Sequence, residues 1–124
     1  MKHYINNGAS AYLYWNISLL KGGFSRWGWQ QNSLVTVDAG TKSYKYNAEY
    51  YLLKHVSHFV KPGAKLLQTS GVFDNLLAFI NPDKSTVVVI QNEENSDRIR
   101  KIKAGKEIVE AKLGANSFNT FLIK

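Results

Sequence analysis

Residues 9–15, Ala-Ser-Ala-Tyr-Leu-Tyr-Trp, place the tightest limit on what this chain can build. The segment reads as a strand that is small and apolar on both faces. That pattern suits a strand buried on both sides, as in a parallel sheet. One helix follows, over residues 48–60, and no other βα unit is present. A strand, a loop and one helix cannot cover both faces of a buried parallel strand. The neighbours of this unit are therefore expected outside the chain. The opening residues agree: Tyr4 and Ile5 before Asn6-Asn7-Gly8 resemble the last turn of a helix and its C-terminal cap. A helix that opens on its last turn reads as cut from something longer.

The helix has clear boundaries. Asn47 is a good N-cap, Ala48 and Glu49 open the first turn, and Pro62-Gly63 closes the segment. Ala48, Tyr51, Leu52, His55, Val56 and Phe59 fall on one stripe at helical spacing, the expected buried face. Residues 16–37 show no clear periodicity and contain Gly22-Gly23, Phe24, Trp27, Gly28 and Trp29. They read as a long loop, a feature usually tied to function.

From residue 64 the pattern changes to short strands separated by turns. Strands are expected at 65–69, 76–81, 86–91, 97–103, 107–113 and 117–123. Asn81-Pro82-Asp83-Lys84 suits a type I turn with Pro second, and Ala104-Gly105 and Leu113-Gly114-Ala115-Asn116 suit tight hairpins. Ile99 and Ile102 are three apart, which breaks alternation and points to a bulge near Lys101. Regular short strands of this kind argue for an antiparallel sandwich. The domains read as 1–63, a βα unit, and 64–124, a β-sandwich.

Composition narrows the chemistry. The 124 residues include no Cys, so disulfides, zinc–thiolate sites and thiol nucleophiles are excluded. The longest apolar runs are far below the ~20 residues of a membrane-spanning helix, so no span is expected. Residues 1–8 contain no apolar h-region, so no signal peptide is expected there. The net charge of +7 raises the prospect of a polyanion partner. Yet the excess is spread along the chain. Residues 1–37 contain Lys2, Lys21 and Arg26 and no acid at all.

Several stretches together resemble a known family. They are Tyr14-Trp15-Asn16, Gly22-Gly23, Trp27-Gly28-Trp29, Tyr50-Tyr51, and the run from His55 to Gly63. Asn81-Pro82-Asp83 before Val87-Val88-Val89-Ile90 and the closing strand 117–123 extend the likeness. The chain resembles the C-terminal portion of family 30 glycoside hydrolases, the glucosylceramidase-like enzymes. This implies a mainly β fold: an Ig-like antiparallel β-sandwich joined to an N-terminal βα remnant of a (β/α)8 barrel. Residues 9–16 would be the eighth barrel strand, 17–43 the eighth βα loop and 48–60 the eighth helix.

The resemblance also implies what is missing. Retaining glycosidases use two carboxylates about 5 Å apart. In the family these sit on the fourth and seventh barrel strands, which precede the matching region. No catalytic residue is therefore assigned. Trp15 matches the family's pocket-wall tryptophan at the C-terminal end of a barrel strand, where barrel enzymes build their sites. Its face can stack on the apolar C–H face of a sugar. Trp27 and Trp29 would rim the same pocket, so Trp15, Trp27 and Trp29 are the candidate substrate-binding residues. The plainer alternative for all three is packing.

Other residues favour structural roles. His55 and His58 stand three apart but have no third ligand, so His55 reads as a hydrogen-bonded core histidine. Arg98, Arg100, Lys101, Lys103 and Lys106 form a basic stretch without interleaved aromatics, with Glu93, Glu94, Asp97, Glu107 and Glu110 close by. A solvated hairpin fits better than a nucleic-acid surface. No metal site and no cofactor are expected. The expected function is that of a non-catalytic C-terminal fragment of a retaining glycoside hydrolase, bracing its barrel and lining one wall of the sugar pocket. The expected partners are a carbohydrate in the parent enzyme, and either the missing barrel segment or a second copy of the chain. The alternative is a free-standing carbohydrate-binding sandwich.

Overall fold

The computed structural model describes residues 1–124. They form two compact units, Ser10–Lys54 and Met1–Ala9 together with His55–Lys124. The fold is mainly β.

The larger unit is built on a four-stranded antiparallel sheet. Its strands are β4 (Lys65–Leu67), β5 (Leu76–Ile80), β6 (Thr86–Asn92) and β9 (Ser117–Ile123), in the order β4-β5-β6-β9. A two-stranded ribbon, β7 (Arg98–Ala104) and β8 (Glu107–Leu113), lies outside that sheet. All six elements stand where alternation and turn chemistry place them. β6 is the centre, with Val87, Val88, Val89 and Ile90 all buried. Its two faces feed two cores. Val87 and Val89 join Leu77 and Phe79 under Val56, Phe59 and Val60 of the helical segment and Ile5 of the N-terminal turn. On the opposite face Ile90 joins Ala111 and Leu113, with Phe73, Leu76, Ile102 and Phe121 around them. The sheet is thus covered by helix on one side and by the β7–β8 ribbon on the other. Each of these large side chains contributes roughly 1.5–3 kcal/mol on burial. Ile90→Ala, at a fully enclosed site, would cost about 2–5 kcal/mol.

The N-terminal turn, α1 (Lys2–Asn6), ends as its residues suggest. Gly8 adopts φ 93, its N–H donates to Ile5 C=O, and the Ala9 N–H donates to Tyr4 C=O. This is a Schellman closure, which needs the left-handed residue that Gly supplies. The β5–β6 turn is a variation on the expected type I form. Lys84, at φ 68, adds a left-handed residue after Pro82-Asp83, and the Asn81 N–H donates to Ser85 C=O.

Three expectations fail in instructive ways. The ribbon has no bulge: Arg98 pairs with Leu113 and the register runs unbroken to Ala104 opposite Glu107. Arg100, Ile102 and Ala104 face inward and Ile99 faces solvent. Arg100 occupies an inward position with its guanidinium over the Phe73 ring, 5.0 Å from the ring centre. Residues 9–15 form no strand. A strand needs partners for its N–H and C=O groups, and beyond the Ala9 N–H, which closes the N-terminal turn, this segment has no backbone partner. The helix α2 (Ala48–Ser57) forms, but Ala48, Tyr51 and Leu52 of the expected stripe are exposed. Of that stripe only His55, Val56 and Phe59 are partly buried, and in the first turns the partly buried residues are instead Glu49, Tyr50 and Leu53.

The smaller unit is more ordered than a loop. β1 (Ser18–Leu20) runs parallel to β2 (Val35–Asp38), which pairs antiparallel with β3 (Ser43–Tyr46). Asp38 sets the β2–β3 turn. Its carboxylate accepts from the Gly40 and Thr41 N–H groups at 3.0 and 3.2 Å and from Lys21 Nζ at 3.0 Å. The Lys21 and Thr41 contacts lead in holding its pKa below the usual carboxylate value.

Candidate functional site

Within the smaller unit, the segment between β1 and β2 folds on itself. Gly22 and Gly23 adopt φ 103 and 64. The Gln31 N–H donates to Gly23 C=O at 2.6 Å, and a Cβ on Gly23 would lie 2.5 Å from Gln31 O. Only glycine fits there. Phe24 bridges Gln30, and the Ser25 N–H donates to Trp29 C=O. The Ser25 hydroxyl accepts from the Trp27 and Trp29 N–H groups, both at 3.2 Å. The result is a small hairpin with Trp27 and Trp29 at its tip.

All three candidate tryptophans are open to solvent. Trp15 is 75% exposed, Trp27 61% and Trp29 66%. Trp27 and Trp29 form a tilted pair with ring centroids 5.8 Å apart, and the Arg26 guanidinium lies 4.6 Å from the Trp27 ring centre. Trp15 is not part of that pair. It precedes Asn16, which takes the left-handed φ of 39 and donates to Gln31 Oε1 and to Asn32 C=O. Asn16 thus ties the chain after Trp15 to the base of the hairpin, satisfying backbone and side-chain groups as its residue type suggests.

A shallow depression of about 370 Å³ lies beside this hairpin. Gly22, Gly23, Gln30, Gln31, Asn32 and Asn47 line it together with Glu49. Asn47 holds its rim. Its Nδ2 donates to Ser33 C=O at 2.8 Å and to Thr36 Oγ1 at 2.9 Å. The side chain expected to cap α2 instead fastens the helix start to β2. Glu49 is the only carboxylate in the lining. It stands in the first helical turn, where the partial positive charge favours it. Burial, then the charge of Glu49, then Tyr12 push the Tyr14 phenol above its ordinary value. The lining offers amides, the hydroxyls of Ser33 and Thr36, and one carboxylate. It can hydrogen-bond a hydroxylated ligand, and it lacks the second carboxylate of a retaining glycosidase.

One aromatic group escaped notice in the sequence. Tyr46 stacks on Tyr50 at 4.1 Å, with Tyr44 edge-on to Tyr46 and Tyr51 edge-on to Tyr50. The alternation Ser43-Tyr44-Lys45-Tyr46 before the helical Tyr50-Tyr51 was the available signal. It needed the β3-to-α2 turn to bring strand and helix tyrosines together.

In the larger unit His55 is a hydrogen-bonded histidine. Its Nδ1 lies 2.9 Å from Thr120 Oγ1, which also donates to His55 C=O at 3.1 Å. Burial pushes its pKa below the ordinary histidine value. His58 is solvent-exposed and meets the Phe59 ring edge-on. On the basic ribbon, Glu94 pairs with both Arg98 and Arg100, and Asp97 pairs with Lys112 at 3.6 Å. Of the basic stretch, Arg98 and Arg100 are paired in this way.

Comparison with known proteins gives these features a context. Residues 63–121 match the model of the "Glycosyl hydrolase family 30 beta sandwich domain". The chain is 35% identical over 71 residues to endo-1,6-beta-D-glucanase neg1 of Aspergillus fumigatus, covering 52% of this chain and 14% of that protein. It is 33% identical over 94 residues to the putative glucosylceramidase 2 of Caenorhabditis elegans, covering 71% of this chain and 18% of that protein. The endo-beta1,6-glucanase BT3312 superposes at a TM-score of 0.87 with 25% identity, over 98% of this chain and 29% of its own. SrfJ from Salmonella typhimurium superposes at 0.80 with 26% identity, over 87% of this chain and 25% of its own. The chain therefore spans well under a third of each of these relatives. Residues 63–121 therefore carry the beta sandwich domain of the family 30 glycosyl hydrolases.

Proposed function

We propose that this chain acts as the non-catalytic C-terminal portion of a retaining, glucosylceramidase-like glycoside hydrolase. Residues 1–63 supply the last βα unit of a (β/α)8 barrel, and residues 64–124 supply the sandwich that braces it. Trp15, Trp27 and Trp29 line one wall of the sugar pocket. The observation that carries the reading is the superposition of 98% of this chain on 29% of an endo-beta1,6-glucanase. Two features support it. The three tryptophans present open faces suited to stacking on sugars. Residues 1–37 contain no Asp or Glu, and the depression contributes Glu49 alone, so a carboxylate pair must come from elsewhere. Residues 1–124 should not hydrolyse β-1,6-glucan or an aryl glucoside. Turnover that follows the chain through every purification step, and disappears in Glu49→Gln, would overturn the proposal.

A second reading is a free-standing carbohydrate-binding module, favoured by the exposed Trp27–Trp29 pair under Arg26. It calls for a shift in tryptophan emission on titration with gluco-oligosaccharides, lost in Trp15→Ala or Trp29→Ala. A flat titration across such sugars removes it.

A further inference from the structure

We propose that the outward face of the β7–β8 ribbon is a docking surface for an anionic lipid bilayer. The register fixes which side chains form it. Arg100, Ile102 and Ala104 of β7 and Val109, Ala111 and Leu113 of β8 point inward, and Ile102, Ala111 and Leu113 join the core against the sheet. Side chains alternate along a strand. Ile99, Lys101 and Lys103 therefore share the outward face with Lys112, Glu110 and Ile108, which stand opposite them in that order. At the tip, Gly105-Lys106 makes a two-residue turn with Gly105 at φ 61.

This face departs from an ordinary solvated one. Alternation calls for polar side chains outward, yet Ile99 is 59% exposed and Ile108 64%. Each isoleucine has a lysine directly across the ribbon. Lys101, Lys103 and Lys106 take part in no ion pair, and Lys112 meets Asp97 at 3.6 Å. Glu110 is the one acid on the face, since Glu107 stands opposite Ala104 on the inward side. Free cations thus outnumber acids here, on a chain whose net charge is +7.

The occupant follows from the mixture. Lysine stems lie along apolar surface while their ammonium groups reach for phosphate and carboxylate headgroups. The isoleucines gain nothing from a soluble polyanion and gain from an acyl boundary that receives them. The ribbon covers the sheet face opposite Val56, Phe59 and Val60, so its outward side looks away from the helical segment. A further strand added at either edge of the ribbon would widen this face and leave its side chains uncovered, because they stand perpendicular to the sheet. The inference concerns the sandwich alone and is independent of the tryptophans and the sugar pocket.

The test is flotation of residues 1–124 with vesicles of phosphatidylcholine carrying about 30 mol% phosphatidylserine, beside phosphatidylcholine alone, at about 0.1 M and 0.5 M salt. The chain should float with the anionic vesicles at the lower salt and be released at the higher. Lys101→Gln with Lys103→Gln should weaken partitioning by about thirtyfold. Ile99→Ser with Ile108→Ser should weaken it by about tenfold or more. Both pairs lie outside the core, so circular dichroism should be unchanged. Lys45→Gln with Lys54→Gln removes the same charge from exposed positions off the ribbon and should alter partitioning by less than about threefold. Failure to float with anionic vesicles at the lower salt would overturn the proposal. So would equal binding to phosphatidylcholine alone, binding indifferent to the isoleucine pair, or an equal loss from the control pair.

Discussion

Asn81→Ala is the sharpest probe of how the helix is held on the sandwich. Asn81 is 3% exposed. Its Nδ2 donates to Phe59 C=O and to Ser85 Oγ, both at 3.0 Å, and its Oδ1 accepts from the Lys61 N–H at 2.9 Å. One amide thus closes the end of the helical segment onto the β5–β6 turn. Truncation removes three hydrogen bonds, each with a net value of about 1 kcal/mol. It also leaves Phe59 C=O, beside the core, without a protein partner. Water can reach Lys61, which is exposed, so the loss there is discounted. The total comes to about 2–4 kcal/mol. All three tryptophans lie in residues 10–54, so fluorescence would report the wrong unit. Urea unfolding followed by far-UV circular dichroism, with amide exchange at Val87 and Val89, reads the right one. Ser57→Ala, at an exposed helix position, is the control. A loss below about 0.5 kcal/mol, the range of ordinary surface changes, would refute this account of the clamp.

Three further outcomes are expected. The His55 pKa is lowered by burial, so its neutral form stabilises the fold; that contribution is complete above the unfolded value of 6.5 and fades as pH falls through the lower folded value. NMR should show His55 titrating below 6.5, and His55→Gln should flatten the stability slope between about pH 7 and pH 5. Asp83 accepts from Lys61 Nζ, Ser85 Oγ and the Ser85 N–H, which together hold its pKa far below the ordinary 3.8. Its contribution is present above 3.8 and lost as pH falls through the folded value, so Asp83→Asn should show a shallower acid transition in a pH-dependent denaturation series. Gly23→Ala sets a methyl group 2.5 Å from Gln31 O at a positive φ; a cost above about 1 kcal/mol should appear in tryptophan-monitored unfolding, and an unchanged midpoint would contradict the tight turn.

The six strands from Lys65 to Ile123 were legible because each carries its own signal. The residues 86–91 read as a short strand, and Pro82-Asp83, Gly105 and Gly114 mark the reversals. The helix start was legible from Asn47, although its amide is used on Ser33 and Thr36 rather than on the helix. The hairpin β2–β3 was also available, in Val35-Thr36-Val37 and Tyr44-Lys45-Tyr46, but the tryptophan-rich stretch before it disguised the segment as loop.

Local chemistry, then, determined element type wherever a residue's preference and its immediate neighbours suffice: alternation for strands, glycine for left-handed turns, and a short polar cap before a helix. The absence of acids in residues 1–37 likewise settled, before any coordinates, that this segment offers no carboxylate pair. What depended on the fold was every property that needs a distant partner. Residues 9–15 have strand composition and form no strand, because no neighbouring strand takes the backbone groups of residues 10–15. Ile99 and Ile102 differ in burial because the unbroken register puts them on opposite faces of β7, with Arg100 over Phe73 on the inward side. Thr120 faces His55 across 65 residues. Periodicity records which face a side chain prefers, and packing decides whether anything is there to meet it.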